Sequence, residues 1–597
     1  MKTHIKKNKP ASISSNAVWN LSVLYKNAHD PQIEKDIALF EQKVVAFEKH
    51  KKNISKLGSP EYLKRALDEL ERLDAMPETA RAGYYFGLRR ELNAQDDEAE
   101  KKLNLLSDRL TKLGNRVIFF DLALGRLTSD VQRKLLLDKR LVKYHYHLKN
   151  LFDTAKHHLS EPEEKLMSLK SNTSHGLWVA GTDKILNRRN VMWKGKKLPL
   201  PEAIEITPKL AKGDRRKLWS LIVAACKDLG EIAENELTAI VLDKKVNDEL
   251  RGFKNPYSAT VLGYENSEAS VEALVASVKA HYGIAHRFYK LKAKMLKEKK
   301  LQYVDRNVSV GKESEISFND STATLREVFY TVDPKYADVL DMMLDKKQID
   351  AYPKKGKTSG AFCASETNVP TYVLLNFIPG SRSLMTYAHE MGHAVHAERS
   401  KTQSPLYQGH STAVAETAST LFENLVFDAN IRTLGKKERI IALHDKIQDD
   451  IASIMRQVAF FEYEREMHEI IRKNGAMNHD ELATLMQKHL KSYLGPAVEV
   501  TKEDGYMFVY VSHFRRFFYV YTYAYGNLIS NAIAARLRED ATFTKQIDAF
   551  LTAGCSKSPD DIFKAMGIDV TKPEFFTAGL ARLNDRITEH EGLVFEK

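Results

Sequence analysis

Chain breakers are scarce in this sequence. Only 28 glycines and 17 prolines interrupt 597 residues, and Leu, Ala, Glu and Lys dominate the rest. Inside a helix a glycine costs about 1 kcal/mol and a proline about 3 kcal/mol relative to alanine. A chain this poor in both can build long helices and bury a large core without disulfides. Asp30 and Pro31 read as an N-cap and first helical position, followed by an apolar stripe at Ile33, Ile37, Phe40, Val44 and Phe47. Ser59-Pro60 opens a second helix that turns Leu63, Leu67, Leu70 and Leu73 inward. Helical patterning continues over 98–113, 164–170, 213–250, 268–300 and 323–347. It predicts a mainly α fold, with long antiparallel hairpins in the N-terminal part. "NVMWKGKKLPL" at 190–200 breaks the pattern, with Gly195 as a turn between short extended pieces. It sets an expected boundary between a helical domain over 1–195 and a second domain over 196–597.

A second break covers 356–377, where Gly360 to Ala364 and Thr371 to Phe377 read as two short strands around a polar turn. Helical periodicity then returns in "SRSLMTYAHEMGHAVHAERS". His389 and His393 stand four apart in it, on one helix face and aimed at one small volume. H-E-x-x-H is the spacing of two zinc ligands with Glu390 beside them as general base. A strand set next to such a helix is useful, because its free edge can pair with an extended peptide. A catalytic zinc needs a third protein ligand and an open position. Glu416 falls 23 residues after His393 among Ala413, Val414, Ala415, Ala418, Leu421 and Phe422. A glutamate in such company is costly to bury unless it meets a cation or metal. Glu423, two turns on along the same face, is a candidate to orient a ligand imidazole.

Other classes are disfavoured by composition. The net charge of +12 comes from 91 basic against 79 acidic residues, and runs such as "KLKAKMLKEKK" at 290–300 read as a solvated helix face. No nucleic-acid motif accompanies them, so no nucleic-acid partner is expected. No stretch approaches the roughly 18 apolar residues of a membrane span, and the basic start "MKTHIKKNKP" lacks the apolar segment of a secretory signal. Cys226, Cys363 and Cys555 are sparse and unpatterned. The expectation is a cytoplasmic protein in a reducing compartment.

"HEMGH", "VAETAST" and "HFRRFFYVYTYAYG" (513–526), with "WNLSVLY", "SGAFC" and "YVLLNF", make the chain resemble the oligoendopeptidase F branch of the thimet oligopeptidase family over most of its length. By that resemblance His389, His393 and Glu416 match the zinc ligands and Glu390 the base, with one Zn2+ per chain. His513, Tyr519 and Tyr523 match residues lining the opposite wall of the cleft. The resemblance implies a helical ellipsoid split by a deep channel, with short unstructured peptides as substrates. It gives no role to His396, and no oligomeric state is read from the chain. Family members often carry proline where Phe517 stands and a smaller residue where Tyr525 stands.

Tyr519 and Tyr523 would share a helix face if their stretch is helical, whereas His513 must approach from a bend or loop. For most of "FFYVYTYAY" an aromatic core stripe is the simpler reading. The nearest rival function is a helical zinc dipeptidyl carboxypeptidase, which would need cationic groups for a free C-terminal carboxylate. A structural zinc site would close its fourth position with protein and have no use for Glu390.

Overall fold

The computed structural model describes residues 17–596; the basic N-terminal stretch read above for a signal lies outside them. The chain is mainly α-helical with a few short strands. The stripes predicted near the N-terminus form the helices Gln32–Phe47 and Pro60–Asp74. Ile33, Ile37, Val44 and Phe47 are buried in the first, Leu63, Leu67 and Leu73 in the second. The first helix starts one residue later than expected: Pro31 takes the cap position, and Asp30 Oδ1 accepts from the Gln32 N–H at 3.0 Å. Three long patterned stretches each divide in two, for example into Lys212–Asp228 and Gly230–Leu250. Periodicity alone did not reveal these breaks because both halves keep an apolar face. At 190–199 the two extended pieces pair antiparallel across Lys194 and Gly195, both at positive φ.

The sheet that matters to the site has three strands rather than the two expected. Tyr372–Leu374 is central, pairing antiparallel with Phe362–Ala364 and parallel with Ile349–Asp350. The sheet is tied down from the N-terminus. Trp19 donates its indole N–H to the Val373 carbonyl at 2.8 Å, and the Tyr372 hydroxyl donates to the Asn20 carbonyl at 2.8 Å. Lys357, whose side chain is fully buried, donates to Asp350 Oδ1 at 2.6 Å and to the Tyr352 carbonyl at 2.8 Å. Asn376 Nδ2 donates to the carbonyls of Thr358 and Gly360 at 2.8 Å each. These contacts fix the loop that delivers Phe362–Ala364 as an edge strand, half-buried at each residue. One continuous core runs from Leu186 to Ile587 and contains the buried faces of Ser381–Ser400, Thr412–Asn430 and Tyr521–Glu539. No helix among the described residues is long and apolar enough to cross a membrane.

Candidate active site

His389 and His393 lie on the helix Ser381–Ser400, with ring centroids 4.9 Å apart. The helix Thr412–Asn430 brings Glu416 to them: Oε2 lies 3.6 Å from His389 Nε2, and Oε1 lies 3.9 Å from His393 Nε2. These gaps are too long for hydrogen bonds. They are close to the spacing of two ligands that share one zinc, about 3.4 Å for tetrahedral bonds of about 2.1 Å. One donor atom from each residue lies within 4.8 Å of the others, and no further such group of His, Cys, Asp or Glu occurs among the described residues. The three side chains stay 19–27% exposed, so solvent reaches them and they are not sealed in the core. The donor set and its convergence fit a zinc ion.

Two glycines make this approach possible. A Cβ on Gly392 would stand 2.7 Å from Ser419 Cα and 3.1 Å from Ser419 O, on the Glu416 helix. A Cβ on Gly526 would stand 3.0 Å from Glu416 Cβ. The histidine helix and the helix Tyr521–Glu539 can therefore both press against the turn that carries Glu416.

The electrostatics describe a site with surplus negative charge. His389 Nδ1 lies 3.3 Å from Glu423 Oε2, the arrangement that fixes a ligand imidazole with Nε2 free. Burial pulls the His389 pKa down, but the Glu423 hydrogen bond and the charges of Glu423, Glu390 and Glu416 prevail and lift it to about 9. Burial raises Glu390 to about 7, with Glu416 adding and His389 opposing; the Cys363 N–H donates to its carboxylate. Burial also raises Glu416. Glu423 goes the other way, to about 2, because Lys446 and His389 outweigh its burial. Lys446 Nζ is 3.0 Å from Glu423 and 2.9 Å from Asp450, which is 2.7 Å from Arg586. A cluster of three carboxylates, Glu390, Glu416 and Glu423, around one imidazole is what a bound divalent cation would neutralise.

His513, Tyr519 and Tyr523 come together as a second group. The helix begins only at Tyr521, so Tyr519 sits in the preceding turn instead of on a shared helix face. The expectation that His513 leaves the helix is met by a 3-10 turn, Ser512–Arg515. Phe517 and Phe518 follow at φ 45° and 61°. Two consecutive L-residues in the left-handed region cost about 1–2 kcal/mol each, and the result is a reversal that folds Tyr519 back over His513. The Tyr519 hydroxyl and His513 Nδ1 are hydrogen-bonded, and the Tyr519 and Tyr523 rings lie 5.8 Å apart. Burial, then Arg456 and Arg516, lower His513 to about 4, so its imidazole is neutral near pH 7. Burial and the Tyr523 hydroxyl hold the Tyr519 phenol protonated. Tyr521 and Tyr525 are fully buried core residues, as a stripe reading expects.

A family model described as Peptidase family M3 matches residues 211–582, and one described as Oligopeptidase F matches 124–186. The chain belongs to peptidase family M3. This M3 peptidase is 24% identical over 484 residues to "Oligopeptidase PepF" of Bacillus subtilis, spanning 79% of this chain and 72% of the relative. It is 25% identical over 575 residues to an oligoendopeptidase F homolog of Borreliella burgdorferi, spanning 94% and 95%. Its fold is similar to the crystal structure of oligoendopeptidase-F from Enterococcus faecium, with TM-score 0.70, 19% identity and coverage of 94% and 99%. It is also similar to that of a protein from Chlamydophila abortus, with TM-score 0.86, 19% identity and coverage of 98% and 99%.

Several features of this M3 peptidase escape sequence reasoning. The Lys446–Asp450–Arg586 chain behind Glu423 is assembled from helices far apart in sequence. Gly392 and Gly526 look like ordinary helix interruptions until their neighbours are known. Cys363 does sit beside the candidate base, where burial and then the Glu390 charge push its thiol pKa well up; its backbone N–H is the part that touches the carboxylate. His396 is fully buried and stacked on His410 at 4.1 Å, a packing role.

Proposed function

We propose that the protein is a zinc-dependent oligoendopeptidase that hydrolyses internal bonds of short, unstructured peptides in the cytoplasm. The observation that carries this is the convergence of His389, His393 and Glu416 around one point beside Glu390, in a member of family M3. His389, His393 and Glu416 would hold the metal. Zinc bound there supplies a Lewis acid for the scissile carbonyl and lowers the pKa of a water. Glu390 accepts a proton from the attacking water and returns it to the leaving amine. The edge strand Phe362–Ala364 offers backbone groups to an extended substrate beside that carboxylate.

His513 and the two tyrosines serve the developing oxyanion. With the Tyr519 hydroxyl donating to Nδ1, the neutral His513 keeps an Nε2–H to give to the substrate. Tyr523 offers a second donor. The protein divides near residue 195 into an N-terminal helical part and a catalytic part, the first closing the cleft to folded proteins.

The pair Glu390→Gln and Glu416→Ala tests the assignment. Glu390→Gln should retain zinc and lose turnover, since an amide cannot accept the water proton; Glu416→Ala should bind zinc more weakly. A Glu390→Gln enzyme with wild-type turnover, or a Glu416→Ala protein with unchanged zinc affinity, would overturn it.

A further inference from the structure

The reversal that brings Tyr519 to His513 is built from two phenylalanines in a conformation L-residues avoid, so something outside the turn must hold it. Its backbone is gripped from several elements. Thr260 Oγ1 donates to the Phe517 carbonyl at 2.9 Å, and His175 Nε2 lies 3.0 Å from the Arg515 carbonyl. Arg515 itself is buried against Glu236, with Nη2–Oε2 at 2.7 Å, and donates to the carbonyls of Phe508 and Val511.

The contact at the strained residue is the most unusual. The Phe518 N–H points at both oxygens of Glu464, each 3.0 Å away. Glu464 lies on the helix Gln457–Asn474, and its side chain is fully buried. A carboxyl placed there normally has a cation in contact. Among the described residues the closest basic nitrogen is His468 Nε2 at 4.0 Å, and Lys244, which opposes the burial from a distance, is engaged by Asp248 at 2.8 Å. The His468 ring packs 4.8 Å from that of Phe518 and 5.5 Å from that of Phe517. Burial accordingly pushes the Glu464 pKa up to about 8. An apolar side chain would fill this site at lower cost, unless the Phe518 N–H has to be met in this orientation.

We propose that Glu464 is a positioning residue: by accepting the Phe518 N–H it holds the Phe517–Phe518 reversal and so aims Tyr519 at His513 and Tyr523. It touches no substrate and acts only through the backbone one residue before Tyr519. Its consequence for catalysis rests on the reading of Tyr519 as part of the oxyanion wall; its effect on the position of Tyr519 does not.

Three variants separate these possibilities. Glu464→Gln keeps an acceptor of the same reach. Glu464→Ala removes it, and Glu464→Asp withdraws it by one C–C bond, about 1.5 Å, while keeping the acid should Alanine fail to fold. Each is made in wild-type protein and in protein carrying 3-fluorotyrosine at position 519. The 19F resonance, recorded on metal-free protein, reports the ring's surroundings independently of turnover. The expected result is a displaced or broadened resonance in Glu464→Ala and Glu464→Asp and a near wild-type one in Glu464→Gln. In parallel, kcat should fall about 10- to 100-fold with KM nearly unchanged and be restored in Glu464→Gln, since misplacing a reacting group by about 1 Å costs on the order of a hundredfold. Folded Glu464→Ala or Glu464→Asp protein with the wild-type resonance overturns the proposal. If the resonance moves but Tyr519→Phe leaves kcat intact, Glu464 still positions Tyr519 and the oxyanion reading of that tyrosine is what fails.

Discussion

Glu423 contacts no part of a substrate in this account, yet its removal should be felt at the metal. Its carboxylate is shared between His389 Nδ1 at 3.3 Å and Lys446 Nζ at 3.0 Å. In Glu423→Gln the amide oxygen can still accept from His389, but the NH2 group then faces the Lys446 ammonium, a donor against a donor. The imidazole keeps a weaker acceptor and loses a negative charge. In Glu423→Ala it loses both and can rotate. Groups that orient metal-bound imidazoles are worth about 10- to 100-fold in metal affinity, or roughly 1.4–2.7 kcal/mol. The glutamine variant should sit near the lower bound and alanine near the upper. Stability should change less, because Lys446, only 6% exposed, retains Asp450 at 2.9 Å. Zinc affinity is read by competition with a chromophoric chelator, and stability by thermal unfolding of the metal-free proteins. If both variants hold zinc as tightly as wild type, Glu423 does not orient His389.

The aromatic segment gives a split prediction. Tyr523→Phe removes an oxyanion donor and should lower kcat by about a hundredfold, roughly 3 kcal/mol, with KM and zinc content nearly unchanged; Tyr519→Phe removes the hydroxyl that fixes the His513 tautomer and should lower kcat in the same way. Tyr521→Phe should leave kcat alone but cost about 1 kcal/mol of stability, since its buried hydroxyl donates to Asn266 Oδ1 at 3.0 Å; steady-state kinetics beside thermal melts tell the two apart. Gly392→Ala should destabilise by about 1–3 kcal/mol and loosen zinc, because its Cβ would press 2.7 Å from Ser419 Cα and part the two helices that share the ligands; a melt and a zinc titration check both.

The His389–His393–Glu416 cluster was readable because its geometry is local. An i,i+4 pair fixes two imidazoles on one face, and a glutamate flanked by Ala413, Val414 and Ala418 announces that something must compensate it. The strand before the helix Ser381–Ser400 was visible as an apolar run, but its partner Ile349–Asp350 was not, since two residues carry no period. The group of His513, Tyr519 and Tyr523 was legible only as residue types. Nothing in "HFRRFFYVY" says that Phe517 and Phe518 take positive φ, because phenylalanine is among the last residues expected there. That turn is set by tertiary hydrogen bonds from Thr260 and Glu464, which come from other helices or loops. The same holds for the two glycines: their value lies in the backbone of the facing helix.

A zinc ion held by His389, His393 and Glu416 should drive cleavage at internal peptide bonds. The decisive experiment strips the protein of metal and adds zinc back stepwise. At each step one measures cleavage of an internally quenched peptide blocked at both ends and identifies the products by mass. The expected result is no cleavage without metal, a rise to a plateau at about one zinc per chain, and products from internal bonds only. Full activity in metal-free protein would contradict it, as would a blocked peptide left intact while a peptide with a free C-terminus is trimmed two residues at a time.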